Sequence, residues 1–135
     1  DAEHLFFFAQ TRAPITPHTD PNWMLLLLDT DQDAATGWLG YDYVLNLEVK
    51  DAATTTVKGR GADGWRTVGE AAYRVSGNGL ELAVSRALVG EDGETPAFDF
   101  HWADHIQGFA GVHELGVNGD SAPNRRWNYR FRVEE

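Results

Sequence analysis

Carboxylates crowd one short stretch, LLLLDTDQDAATGWLGYD, in which Asp29, Asp31, Asp33 and Asp42 follow directly on a run of leucines. Alternating Asp residues in a turn present several hard oxygens to one divalent ion, together with backbone carbonyls, which is the ligand set calcium takes. Converging carboxylates also raise one another's pKa unless a counter-charge neutralises them. No Lys or Arg lies between residues 30 and 49. A divalent cation is the natural partner, and Asp29, Asp31, Asp33 and Asp42 are its candidate ligands. A solvated acidic turn whose Asp side chains cap their own backbone has the same spacing, so spacing leaves both readings open. An EF-hand started at Asp31 would place Ala35 where a ligand is needed and Thr36 where its glycine turns. The flanks also read as strands, which excludes that motif.

Other residues suit other chemistry. Paired carboxylates about 5 to 10 Å apart hydrolyse glycosides, and Asp42 with Asp104 is the pair to test, although nothing in the sequence separates them from ligands or caps. Sugars are also held without catalysis, by flat aromatic faces and by amide, carboxylate and Arg groups that read hydroxyls. Trp38 and Trp65 each follow Gly in turn-rich segments where a ring can stay exposed, and Trp38 can equally lid the acidic loop.

In FDFHWADHI, strand alternation places Phe98, Phe100 and Trp102 on one face and Asp99 and His101 on the other. Trp102 is therefore expected in the core, and His101 as a hydrogen-bonding partner in a polar groove. The same parity groups Trp127, Tyr129, Phe131 and Val133 as a core face, opposite Arg126, Asn128, Arg130 and Arg132. Such a basic stripe either binds glycans or pairs with acids on a neighbouring strand. A transition-metal site built from Asp99, His101 and His105 is disfavoured, because alternate strand positions drift apart and His105 falls past the strand's end.

These residues need a frame, and the pattern calls for strands. Short apolar runs alternate with period two between Gly, Pro, Asn and Asp clusters, at residues 4–11, 23–29, 41–50, 54–58, 65–75, 80–85, 98–103, 112–117 and 126–133. LFFFA and WMLLLL are apolar at every position, which implies burial on both faces and a central place. APITPHTDPN carries three prolines and must be a loop. SGNGL reads as a hairpin turn, and one helical turn fits after Ser85.

The chain of 135 residues carries a formal charge of −10, which opposes binding to phosphate backbones or anionic membranes. It has no Cys, hence no disulfide or thiolate site. No stretch is long and apolar enough to read as a membrane-spanning helix. One domain spanning residues 1–135 is expected, as a fragment or mature module of a longer chain.

DTDQDAATGWLGYDYVLN, followed by FDFHWADHI and NGDSAPNRRWNYRFR, resembles the β-sandwich domains similar to family-nine carbohydrate-binding modules, within the DOMON-like group of bacterial secreted glycan-active proteins. The resemblance is specific in the TGWxGYD loop and the FxFxWAD strand. It implies an all-β, antiparallel, jelly-roll-like sandwich of about eight or nine strands, lacking an N-terminal segment that relatives have. It implies a noncatalytic carbohydrate-binding or accessory domain stabilised by structural calcium, secreted or periplasmic, and linked to a catalytic domain or covered along exposed strand edges by a second chain. Trp38, Trp65, His101, Arg126, Asn128 and Arg130 are the candidate glycan contacts. The alternatives are a glycan-active enzyme using Asp42 and Asp104, and a haem-binding electron-transfer domain with Met24, the one methionine, as a ligand with His.

Overall fold

The computed structural model describes residues 1–124 and 127–134; Arg126, where the last strand was expected to begin, lies outside the described residues. In chain order the described strands are β1 (His4–Gln10), β2 (Leu25–Asp29), β3 (Tyr43–Val49), β4 (Thr54–Gly61), β5 (Gly64–Ser76), β6 (Gly79–Ser85), β7 (Ala97–Asp104), β8 (Asp120–Ala122) and β9 (Tyr129–Arg132). All pair antiparallel in one sheet, ordered β1-β6-β5-β4-β3-β2-β7, and the far side of β7 carries both β8 and β9. Phe7 of β1 meets Phe98 and Phe100 of β7 with ring centroids 5.7 and 5.4 Å apart. The two ends of the strand order therefore face each other, and the sheet curls into an all-β, sandwich-like fold.

The leucine run explains itself in this frame. Leu26 and Leu28 point into the curl and pack with Leu45, Val57, Leu80, Leu82 and Phe98. Leu25 and Leu27 point outward, where Trp38, Tyr41, Ile106 and Leu115 cover them. β2 is thus dry on both faces and pairs with β3 and β7, as its unbroken apolarity predicts. Burying each leucine contributes about 1.5–3 kcal/mol, enough to hold the acidic segment that follows on a rigid base.

β1 has the same composition and a different place. It is a margin of the sheet, paired among the described residues with β6 alone. Leu5 and Phe7 are buried, whereas Phe6 and Phe8 stay 65% and 59% exposed. An apolar run does not report which of its faces finds a partner, and here one does not.

The parity expected of the last strand holds, but its burial does not. Tyr129 packs on Phe100 and Phe131 stacks on Phe98 at 5.0 Å, so both point to the inner side. They lie on the open margin, and together with Val133 and Trp127 they remain exposed. Residues 112–117 were expected as a strand and instead hold a 3₁₀ turn, Val112–Leu115, which caps the outer cluster with Leu115. β8 was not anticipated, since DSA lacks strand formers and is paired only because β7 offers an edge. The helical turn after Ser85 is present as Ala87–Val89, and the SGNGL hairpin joins β5 to β6 with Gly77 at φ 56°.

Candidate cation site and the polar row beside it

β2 ends on Asp29, and residues 30–42 fold back over it before β3 begins. Asp29, Asp31 and Asp42 each bring a carboxylate oxygen within 4.8 Å of the others. Asp42 Oδ2 accepts the Thr30 amide at 2.9 Å, and Asp31 Oδ1 accepts the Asp33 amide at 2.9 Å. The Thr36 hydroxyl lies 2.9 Å from Asp31 Oδ2 and 3.4 Å from Asp42 Oδ1, which ties the two ends of the loop together. Asp29 is different: it is only 4% exposed, and its Oδ1 has no hydrogen-bond partner among the described residues. Burial, a hydrogen bond with Asp31 and the charges of Asp42 and Asp31 push its carboxyl up to about 6. Asp31 moves the other way, held below the usual carboxylate range first by the Asp33 amide.

The donors converging here are all oxygens, the set a hard cation takes and a zinc or copper site does not. Asp33 is not among the carboxylates that meet within 4.8 Å, and its Oδ1 accepts the Ala35 amide at 2.9 Å. The fourth expected ligand is thus a local turn residue. Thr36 was missed by the sequence reading, though a hydroxyl directly before the TGW glycine was the available signal.

Two glycines make the loop possible. Gly37 has φ 59°, and a Cβ there would sit 2.0 Å from the Tyr41 carbonyl oxygen. Gly40, at φ 96°, passes close over Ala34 and the Asp29 carboxylate. Gly37→Ala is therefore expected to lower stability by about 2 kcal/mol or more in a denaturant titration; an unchanged midpoint would contradict this account of the loop.

A row of charged side chains crosses the strands from the same place. Asp29 lies opposite Asp99 on β7, and Asp99 opposite Arg130 on β9. Arg130 grips both Asp99 oxygens, at 2.8 and 3.0 Å, and the Gln32 amide adds a bond at 2.9 Å. Arg130 accordingly keeps the Asp99 carboxyl below its usual range. The basic stripe thus pairs with a neighbouring strand at Arg130.

The other expected glycan contacts are dispersed. His101 is fully buried, with Nδ1 2.8 Å from the Trp127 carbonyl, and burial lowers its pKa. It has no face toward a ligand, because loop and strand close over it from both sides. Asn128 accepts the Tyr41 hydroxyl at 2.6 Å. Trp38 is buried and donates Nε1–H to the Phe109 carbonyl at 2.8 Å. Phe109 sits edge-on to both Trp38 (4.9 Å) and Trp65 (5.5 Å), so neither indole is an open platform. The exposed ring is Trp127, 68% accessible, which the sequence reading had assigned to the core.

The carboxylate pair expected for an enzyme is not assembled. Asp42 stands beside Asp29 and hence near residue 99, whereas Asp104 lies five positions further along β7. That separation is about 16 Å at the strand rise of about 3.3 Å per residue, well beyond a glycosidase pair. Asp104 is also engaged by the Met24 amide at 3.0 Å, Thr16 at 2.9 Å and His105 at 3.1 Å. Met24 packs in the inner cluster, and His101 faces Tyr41 on the outer side.

Comparison of the chain with protein-family models, curated proteins and solved structures finds no match in any of the three.

Proposed function

We propose that this is a noncatalytic carbohydrate-binding or accessory domain whose acidic loop is held by a calcium ion coordinated by Asp29, Asp31 and Asp42. The observation that carries the reading is the buried Asp29 carboxylate, with an oxygen that no donor among the described residues satisfies, facing two further carboxylates. An unpaired buried polar oxygen costs about 1–3 kcal/mol, and a calcium ion removes that cost while neutralising the cluster. The secreted or periplasmic setting of the domain and a linked catalytic partner belong to the same proposal.

Sugar binding is assigned to Trp127, whose exposed ring is anchored by the bond that its carbonyl accepts from His101 Nδ1 and flanked by Asn128. Affinity electrophoresis against neutral and acidic polysaccharides tests it. Retardation by at least one polymer is expected, and Trp127→Ala should weaken it about tenfold while leaving the melting curve in place. Trp38→Ala, by contrast, should lower the melting temperature, because that ring is packed. Failure of every polymer to retard the wild-type protein would reject the carbohydrate role.

A further inference from the structure

The candidate ligands Asp31 and Asp42 each have a chain neighbour that reaches out of the acidic loop to the last strand. Tyr41 precedes Asp42 and is only 2% exposed. Its backbone exchanges two hydrogen bonds with Trp38, both 2.9 Å, and its hydroxyl donates to Asn128 Oδ1 at 2.6 Å. Gln32 follows Asp31, and its side-chain amide donates at 2.9 Å to Asp99 Oδ1, the oxygen that also takes Arg130 Nε at 2.8 Å. The loop thus holds residues 127–130 at two points, directly through Asn128 and by way of Asp99 through Arg130.

Little else among the described residues fixes the start of that segment. Ladder pairing of β9 with β7 begins at Tyr129, opposite Phe100. The Trp127 ring is 68% exposed, and its carbonyl accepts from His101 Nδ1 at 2.8 Å. The His101 ring in turn lies beside the Tyr41 ring, with centroids 6.0 Å apart. Even the Trp127 bond is therefore backed by the residue next to Asp42.

Gln32 is also where the loop backbone is strained. Its φ of 54° is a left-handed conformation that residues with a side chain rarely adopt and keep only where the surroundings impose it. On one side stands Asp31, whose carboxylate meets those of Asp29 and Asp42 within 4.8 Å. Three carboxylates that close repel one another unless a counter-charge neutralises them. The repulsion acts on Asp31 beside the strained Gln32 and on Asp42 beside Tyr41, so its relief pulls on both connections to residues 127–130 at once.

We propose, on the reading that calcium occupies the loop, that its occupancy orders residues 127–130 and thereby controls how the Trp127 ring is presented to a ligand. Tyr41 and Gln32 are the positioning residues that carry the effect. The coupling is reciprocal, so a polysaccharide held at Trp127 tightens calcium binding by the same factor.

Hydrogen exchange read by mass spectrometry on the full chain tests the coupling. Calcium added to chelator-treated wild type is expected to slow exchange at residues 127–130 about tenfold. Tyr41→Phe removes only a hydroxyl, and Gln32→Ala only an exposed side chain. Each variant should keep the calcium-dependent rise in melting temperature while the slowing shrinks, and in the double variant the slowing should be lost. If calcium raises the melting temperature but leaves exchange at residues 127–130 unchanged, or slows it as much in the double variant, the coupling is overturned and the calcium site stands. A neutral polysaccharide that retards the wild type equally in calcium and in EDTA overturns the coupling as well. If calcium leaves the wild-type melting curve unmoved, the calcium reading fails and the coupling fails with it.

Discussion

Calcium added to chelator-treated protein is expected to raise its melting temperature by on the order of 10 °C when the ion is present at about a thousand times its dissociation constant. A ligand that binds only the folded state stabilises by RT ln(1 + [L]/Kd), about 4 kcal/mol at that saturation. The unfolded chain does not hold Asp29, Asp31 and Asp42 together, so the binding energy is almost wholly folding energy. Thr36 and the backbone amides position Asp31 and Asp42 before the ion arrives, which lowers the ordering cost of binding. Magnesium should shift the curve less, since it demands near-octahedral ligands and gives up its waters reluctantly. Differential scanning calorimetry with EDTA and then excess calcium checks this; superimposable curves would remove the ion from the account of the loop.

Asp29→Asn should change sign with the same two conditions. The carboxyl titrates near 6 in the folded protein against 3.8 for the free side chain, because it is buried and crowded by Asp31 and Asp42. A folded-state pKa above the unfolded one means stability that is complete below pH 3.8 and lost as pH rises through about 6. The gap corresponds to about 3 kcal/mol, part of which the amide forfeits by burying its own polar atoms. In EDTA at neutral pH the Asn variant is therefore expected to be more stable than the wild type by on the order of 2 kcal/mol, with the difference vanishing towards pH 4. In calcium the order reverses, since the variant has lost a charged ligand. Urea titrations at several pH values, with and without the ion, give all four comparisons, and a variant that is destabilised equally in EDTA and in calcium would show that Asp29 is merely a structural hydrogen-bond acceptor.

Much of the frame was legible because strand alternation and turn chemistry are local. The short apolar runs located eight of the nine described strands, and SGNGL announced its hairpin. WMLLLL was read as doubly buried, and β2 is, although Trp23 and Met24 precede the strand itself. The same rule misplaced β1, because LFFFA is as apolar as LLLL and differs only in lying on the margin of the sheet. Composition along a strand carries no term for how many neighbours that strand acquires.

The acidic loop shows the same division. Its carboxylate spacing, its lack of nearby basic residues and its two glycines are written in TDQDAATGWLGYD, and together they defined where a hard cation would sit. That Asp33 turns away to cap Ala35, while Asp29 loses its solvent, depended on the loop folding over the end of β2. Arg130 lies far along the chain, yet strand register brings it to Asp99, which it grips through both oxygens. The sequence by itself determined the all-β class, the turns and the chemistry available at the loop, since these follow from backbone preference and residue type over a few positions. Only the tertiary structure decided which carboxylates converge, which tryptophan faces solvent and which strand edge stays open, because those depend on long-range pairing and on what happens to cover each face.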